Sequence, residues 1–102
     1  MDRLEALKAI VAQSPKDVFP RYGLAMELVK AGELEQAVNE FREIMSLQPG
    51  YAAAYYHCGQ TLEKLGRLDE AKQVYRKGME LTGSTGDTHT YEEIQAALAL
   101  LP

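Results

Sequence analysis

Gly32-Glu-Leu-Glu-Gln-Ala-Val-Asn-Glu-Phe41 recurs, with substitutions, as Gly66-Arg-Leu-Asp-Glu-Ala-Lys-Gln-Val-Tyr75, 34 residues further along (66 less 32). Each copy holds a glycine, a leucine, an alanine and an aromatic in fixed order: Gly32, Leu34, Ala37 and Phe41 against Gly66, Leu68, Ala71 and Tyr75. The same offset relates Ala25 to Gly59, Leu28 to Leu62, Lys30 to Lys64 and Pro15 to Pro49. Self-similarity at this period marks a stack of helix pairs, in which each pair covers the apolar face its neighbour cannot bury alone.

Working outward, helical periodicity extends over the whole chain. Leu4, Leu7, Ala9, Ile10 and Val11 recur at helical spacing behind Asp2 and Glu5, a capping pair, and Ser14-Pro15 ends that helix. Asp17 caps the next, with Pro20 in its first turn and a buried stripe of Leu24, Ala25, Leu28 and Ala31 that stops at Gly32. The following helix is predicted from Leu34 to Leu47, burying Leu34, Ala37, Val38, Phe41, Ile44 and Met45 before Pro49-Gly50. In the second unit Tyr55, Cys58, Gly59 and Leu62 form one stripe, and Leu68, Ala71, Val74, Tyr75 and Met79 the other. Lys30 and Lys64 lie in the last turns before the two glycines, where a cation complements the helix dipole. Thr82–Asp87 is predicted to be a loop, having two glycines and no apolar residue, and the most mobile internal segment. Thr90 with Glu93 then reads as a capping box for a last helix carrying Tyr91, Ile94, Leu98 and Leu101.

Composition narrows the function classes. The chain has 102 residues, enough for one domain and one core, and its 46% hydrophobic content argues against disorder. A net charge of −4, with lysine and arginine scattered, disfavours nucleic acid and anionic membranes as partners. Cys58 is the single cysteine, and neither a signal-peptide pattern nor a membrane-length apolar run is present, so a cytoplasmic protein is the expectation.

The two units resemble tetratricopeptide repeats. The likeness rests on the small residue of the first helix (Ala25, Gly59), the turn glycine (Gly32, Gly66), the alanine and aromatic of the second helix (Ala37 with Phe41, Ala71 with Tyr75) and the closing Pro49. Arg21 and Tyr55 stand where the family places tryptophan, Leu28 and Leu62 where it places tyrosine, and Ile44 and Gly78 at its late small position. The resemblance implies an all-α, right-handed solenoid: a half-repeat helix at 2–15, full repeats at 16–49 and 50–83, and a loop with a capping helix at 84–102. All of it forms a single domain.

No arrangement of residues points to catalysis, a metal or a cofactor. His57 and Cys58 are adjacent, which on a helix points them about 100° apart, and Cys58 belongs to the buried stripe. Metal-ligand spacing around His57 and His89 is lacking, and the Thr82–Asp87 glycines follow no strand. The resemblance implies that the first helix of each pair lines a concave surface that receives partner peptides. The residues one step off the stripe there are Phe19, Tyr22, Met26 and Val29, then Ala53, Tyr56, Gln60 and Glu63. Phe19, Tyr22, Met26, Val29, Tyr56 and Gln60 are therefore the candidate peptide-binding residues, with Tyr22 and Tyr56 expected side by side. Lysines and asparagines that grip a chaperone's terminal carboxylate in some relatives are replaced here by Tyr22, Met26 and His57. The expected function is a non-catalytic adaptor for a protein or peptide partner. The alternative is a homodimeric element that uses the same strip or the outer helices.

Overall fold

A computed structural model describes residues 2–102. The described residues form six helices and no strand: α1 (Arg3–Gln13), α2 (Val18–Lys30), α3 (Leu34–Leu47), α4 (Ala52–Lys64), α5 (Leu68–Thr85) and α6 (Thr88–Ala99). Helices α2 and α3 form one antiparallel pair and α4 and α5 the next. Helix α1 packs on α2, and α6 closes the other end against α5 and α4. The result is a right-handed helical solenoid of two full repeats with a capping helix at each end.

Local chemistry sets the helix ends. The backbone N–H of Glu5 donates to Asp2 Oδ1 at 2.8 Å and that of Phe19 to Asp17 Oδ1 at 3.1 Å, so both aspartates cap as their positions predict. Both pairs turn at a glycine with positive φ, 79° at Gly32 and 75° at Gly66. The N–H groups of Gly32 and Glu33 close back onto the carbonyls of Val29 and Leu28, and those of Gly66 and Arg67 onto Glu63 and Leu62. This is the same Schellman closure written twice, and it requires a residue that enters the left-handed region without steric cost.

The interior is one continuous apolar column. Ala25, Leu28, Ala37, Phe41 and Ile44 are buried in the first repeat, and Tyr55, Cys58, Leu62, Ala71 and Tyr75 in the second, joined by Ile94 of α6. Gly59 lies directly under the Tyr75 ring, so an added Cβ would sit 2.5 Å from Cζ and 2.6 Å from Cδ1. At Gly78 an added Cβ would lie 2.8 Å from both Tyr55 Cβ and Ile94 Cδ1. Glycine at this late position therefore lets α5 approach α4 and α6 together.

The two departures at the tryptophan position do one job. Tyr55 donates its hydroxyl to the Pro49 carbonyl at 2.7 Å, and Arg21 donates Nη2–H to the Pro15 carbonyl, also at 2.7 Å. Each side chain ties its helix to the proline that ends the preceding one. Arg21 also pairs with Glu40 through Nη1 at 2.7 Å, while its buried Nε has no protein partner among the described residues.

Three expectations need correction. Thr82–Thr85 is helix and not loop: α5 runs to Thr85 and turns only at Gly86, with φ 79°. Thr82 is buried, its hydroxyl donating to the Gly78 carbonyl at 2.8 Å, so packing overrides weak local propensity. Thr90 and Glu93 form no capping box, because Asp87 caps α6 by accepting from the Thr90 N–H at 3.2 Å, and Glu93 faces His89. Finally, Ala31 is exposed and not part of the buried stripe, because it falls in the turn after α2.

Gly59→Ala tests the ring-on-backbone contact. The ring is enclosed, so overpacking is expected to destabilise by ~1–3 kcal/mol, against a gain of at most ~1 kcal/mol in helix propensity. Urea or thermal unfolding measures it, and an unchanged midpoint would show that Tyr75 has room to move.

A candidate peptide groove between the fourth and sixth helices

Helix α4 turns Ala54, Tyr55, Cys58, Gly59 and Leu62 into the core, which leaves the next phase of the helix only half-buried. Tyr56, Gln60 and Glu63 occupy that phase and line one wall of a groove of about 450 Å³. Glu93, Ala96, Ala97 and Leu100 of α6 make the other wall. The small side chains of Ala96 and Ala97 keep the groove open, and Leu100, 86% exposed, stands at its lip.

An aromatic cluster adjoins this groove. His57 lies 5.3 Å from the Tyr56 ring and 5.9 Å from Tyr22, between centroids, and stacks over the buried Phe41 at 6.3 Å. Tyr22 further meets Tyr51 at 5.4 Å. Tyr22 and Tyr56 thus meet through His57 instead of standing directly against each other. All four polar-tipped rings are half-buried, with their apolar bodies on the core.

The other candidate residues are dispersed. Met26 and Val29 are half-buried against the core, Phe19 projects into solvent at 79% exposure, and none of the three lines the groove. Tyr51 escaped the sequence reading because it lies in the turn after Pro49-Gly50, where helical phase does not apply. The α6 wall escaped it because that helix was read as a cap or a dimer surface and not as part of the peptide groove. Glu63 was visible as one step off the stripe.

The titratable groups have distinct settings. The Cys58 thiol is pushed up to about 11 by burial, so at neutral pH it is a protonated, apolar-like core group. Burial raises the pKa of Tyr75, and its hydrogen bond to the Glu63 carboxylate raises it further. That bond carries a buried hydroxyl through to the groove side of α4 and fixes the Glu63 side chain.

His57 gives a pH dependence. Burial holds its imidazole below the ordinary value of 6.5, outweighing the Gln60 hydrogen bond and the nearby Glu93 carboxylate, which favour protonation. The unfolded chain therefore binds this proton more readily than the folded one. Stability from His57 is complete above its unfolded pKa and is lost as pH falls through that value toward the folded one. The melting temperature should drop from about pH 7.5 to about pH 5.5, and His57→Gln should flatten that interval. A flat wild-type profile would contradict the burial argument.

Known proteins agree with this architecture. The tetratricopeptide repeat family model matches residues 28–101. A TPR repeat-containing protein of Pseudomonas aeruginosa is 24% identical over 98 residues, covering 96% of this chain and 93% of that protein. The solution structure of a tetratricopeptide repeat domain protein from Salinibacter ruber is similar with a TM-score of 0.78 at 35% identity, over 83% of this chain and 86% of that one. A protein from Bordetella parapertussis gives a TM-score of 0.83 at 25% identity, over 97% of this chain and 86% of that one. No helix among the described residues is long and apolar enough to cross a membrane. With the repeat register, the paired glycine turns and the family match in agreement, the chain belongs to the tetratricopeptide repeat family.

Proposed function

We propose that the chain is a non-catalytic interaction module that seats a peptide segment of a partner protein in the groove between α4 and α6. The observation that carries this reading is the half-exposed aromatic cluster of Tyr22, Tyr51, Tyr56 and His57 running into a groove of about 450 Å³. A groove of this size suits a few side chains, and tyrosines provide contact area at low entropic cost together with hydroxyls that can pair. Tyr22, Tyr51 and His57 also join the two repeats, yet each stays half-exposed. Family membership supports a protein partner, and a net charge of −4 does not fit duplex nucleic acid or an anionic membrane.

A second reading is self-association, favoured by the exposure of Phe19 and Leu100, 79% and 86%. Mass in solution separates the two: a dimer that persists on dilution and is lost on Leu100→Ser would favour it.

Selection of peptides from a random displayed library tests the groove. Wild type should retain a related set, and Tyr56→Ala should weaken the best of them by ~2 kcal/mol, about 30-fold, while still unfolding cooperatively. Equal binding by the folded variant would move the site elsewhere.

A further inference from the structure

The groove carries charge without a counter-ion of its own. Its walls hold two carboxylates, Glu63 and Glu93, and no lysine or arginine. Glu93 reaches only His89 Nε2, at 3.4 Å, and Glu63 accepts the Tyr75 hydroxyl through Oε2, with neither paired to a lysine or arginine among the described residues. Four of the five arginines are engaged on other surfaces: Arg3 with Glu27, Arg21 with Glu40, Arg42 with Glu70, and Arg67 with Glu35 and Glu70, while Arg76 is exposed on α5 and does not line the groove. Elsewhere cross-helix carboxylates meet an arginine, whereas in the groove the corresponding cation is missing.

Resting on the groove reading above, we propose that the occupant is a basic, apolar peptide segment, with lysine or arginine on each side of an apolar residue. Glu93 lies near His57 and Glu63 is six residues beyond it on α4, a rise of ~9 Å. In an extended peptide alternate side chains share a face, ~7 Å apart, so basic residues two positions before and two after an apolar residue lie on its face, and their long flexible stems converge on that span. Between the carboxylates, Ala96 and Ala97 leave room for an aliphatic group, with Leu100 beside it. Gln60 can both donate to and accept from the peptide backbone. The Tyr56 ring offers a face to a cation held near Glu93. Tyr75 fixes Glu63 in place, so little side-chain freedom remains to be lost on binding. An acidic segment would face two carboxylates and no cation.

Nitrogen-15 NMR titration of the full chain with three blocked heptapeptides is the test. The probes are Gly-Lys-Ser-Leu-Ser-Lys-Gly and its counterparts with glutamate or glutamine in place of both lysines. The lysine peptide should shift the amides of Tyr56, Gln60 and Ala97 and bind at least fivefold more tightly than either counterpart. Glu63→Gln/Glu93→Gln should weaken it at least tenfold. Glutamine retains an acceptor for Tyr75, and Glu93→Gln alone provides a variant that leaves that bond untouched. Equal or tighter seating of the glutamate or glutamine peptide in the groove would overturn the basic partner and leave the groove reading standing. Unchanged affinity of the lysine peptide for the folded variants would overturn it too. So would the absence of any groove shift with all three peptides, and the display selection would then decide separately whether the groove binds at all.

Discussion

The approach of paired helices at a small residue is the constraint on which the rest of the structure depends. In the first repeat Ala25 and Phe41 are both fully buried, and in the second the Tyr75 ring rests on the bare backbone of the equivalent Gly59. A side chain there would push α4 and α5 apart. That close contact also fixes which phase of α4 is used up in packing, and so which phase is free. Tyr56, Gln60 and Glu63 face the groove because Tyr55, Gly59 and Leu62 are committed to the core. The same ring delivers its hydroxyl to Glu63, so one side chain connects the helix contact to the groove.

Electrostatics divides the surface in a way that composition alone does not reveal. Glu35, Arg67, Glu70 and Arg42 form an alternating chain that ties α3 to α5 and to the turn before it. Such exposed pairs contribute little each to stability, but they neutralise the arginines on that side. Glu63 and Glu93 meet no arginine among the described residues, so the groove keeps its negative charge. Long-range attraction of a basic partner to that face would act mainly on the association rate.

Much of this was legible from the repeat itself. Asp2, Asp17, Gly32 and Gly66 act where local rules put them, because capping and left-handed turns depend on a few adjacent residues. Thr82–Thr85 was misread for the same reason: its polar, glycine-containing sequence reads as loop, but a buried hydroxyl bonded one turn back and contact with α6 keep it helical. Arg21 could be seen to replace an aromatic, yet its bonds to Pro15 and to Glu40, nineteen residues away, follow only from packed helices. Helix phase put Tyr22, Tyr56, Gln60 and Glu63 one step off the buried stripe; of these Tyr56, Gln60 and Glu63 line the groove and Tyr22 does not. Tyr51 and the α6 wall required the way the turn and the last helix fold back.

The central claim is that stacking uses one phase of α4 and leaves the next for a partner. Hydrogen exchange measured residue by residue, with and without a peptide obtained by selection, addresses it most directly. New protection confined to the α4 and α6 walls, around Tyr56–Glu63 and Glu93–Leu100, is the predicted result. Protection centred instead on α1, α3 or α5, with those walls unchanged, would contradict the account.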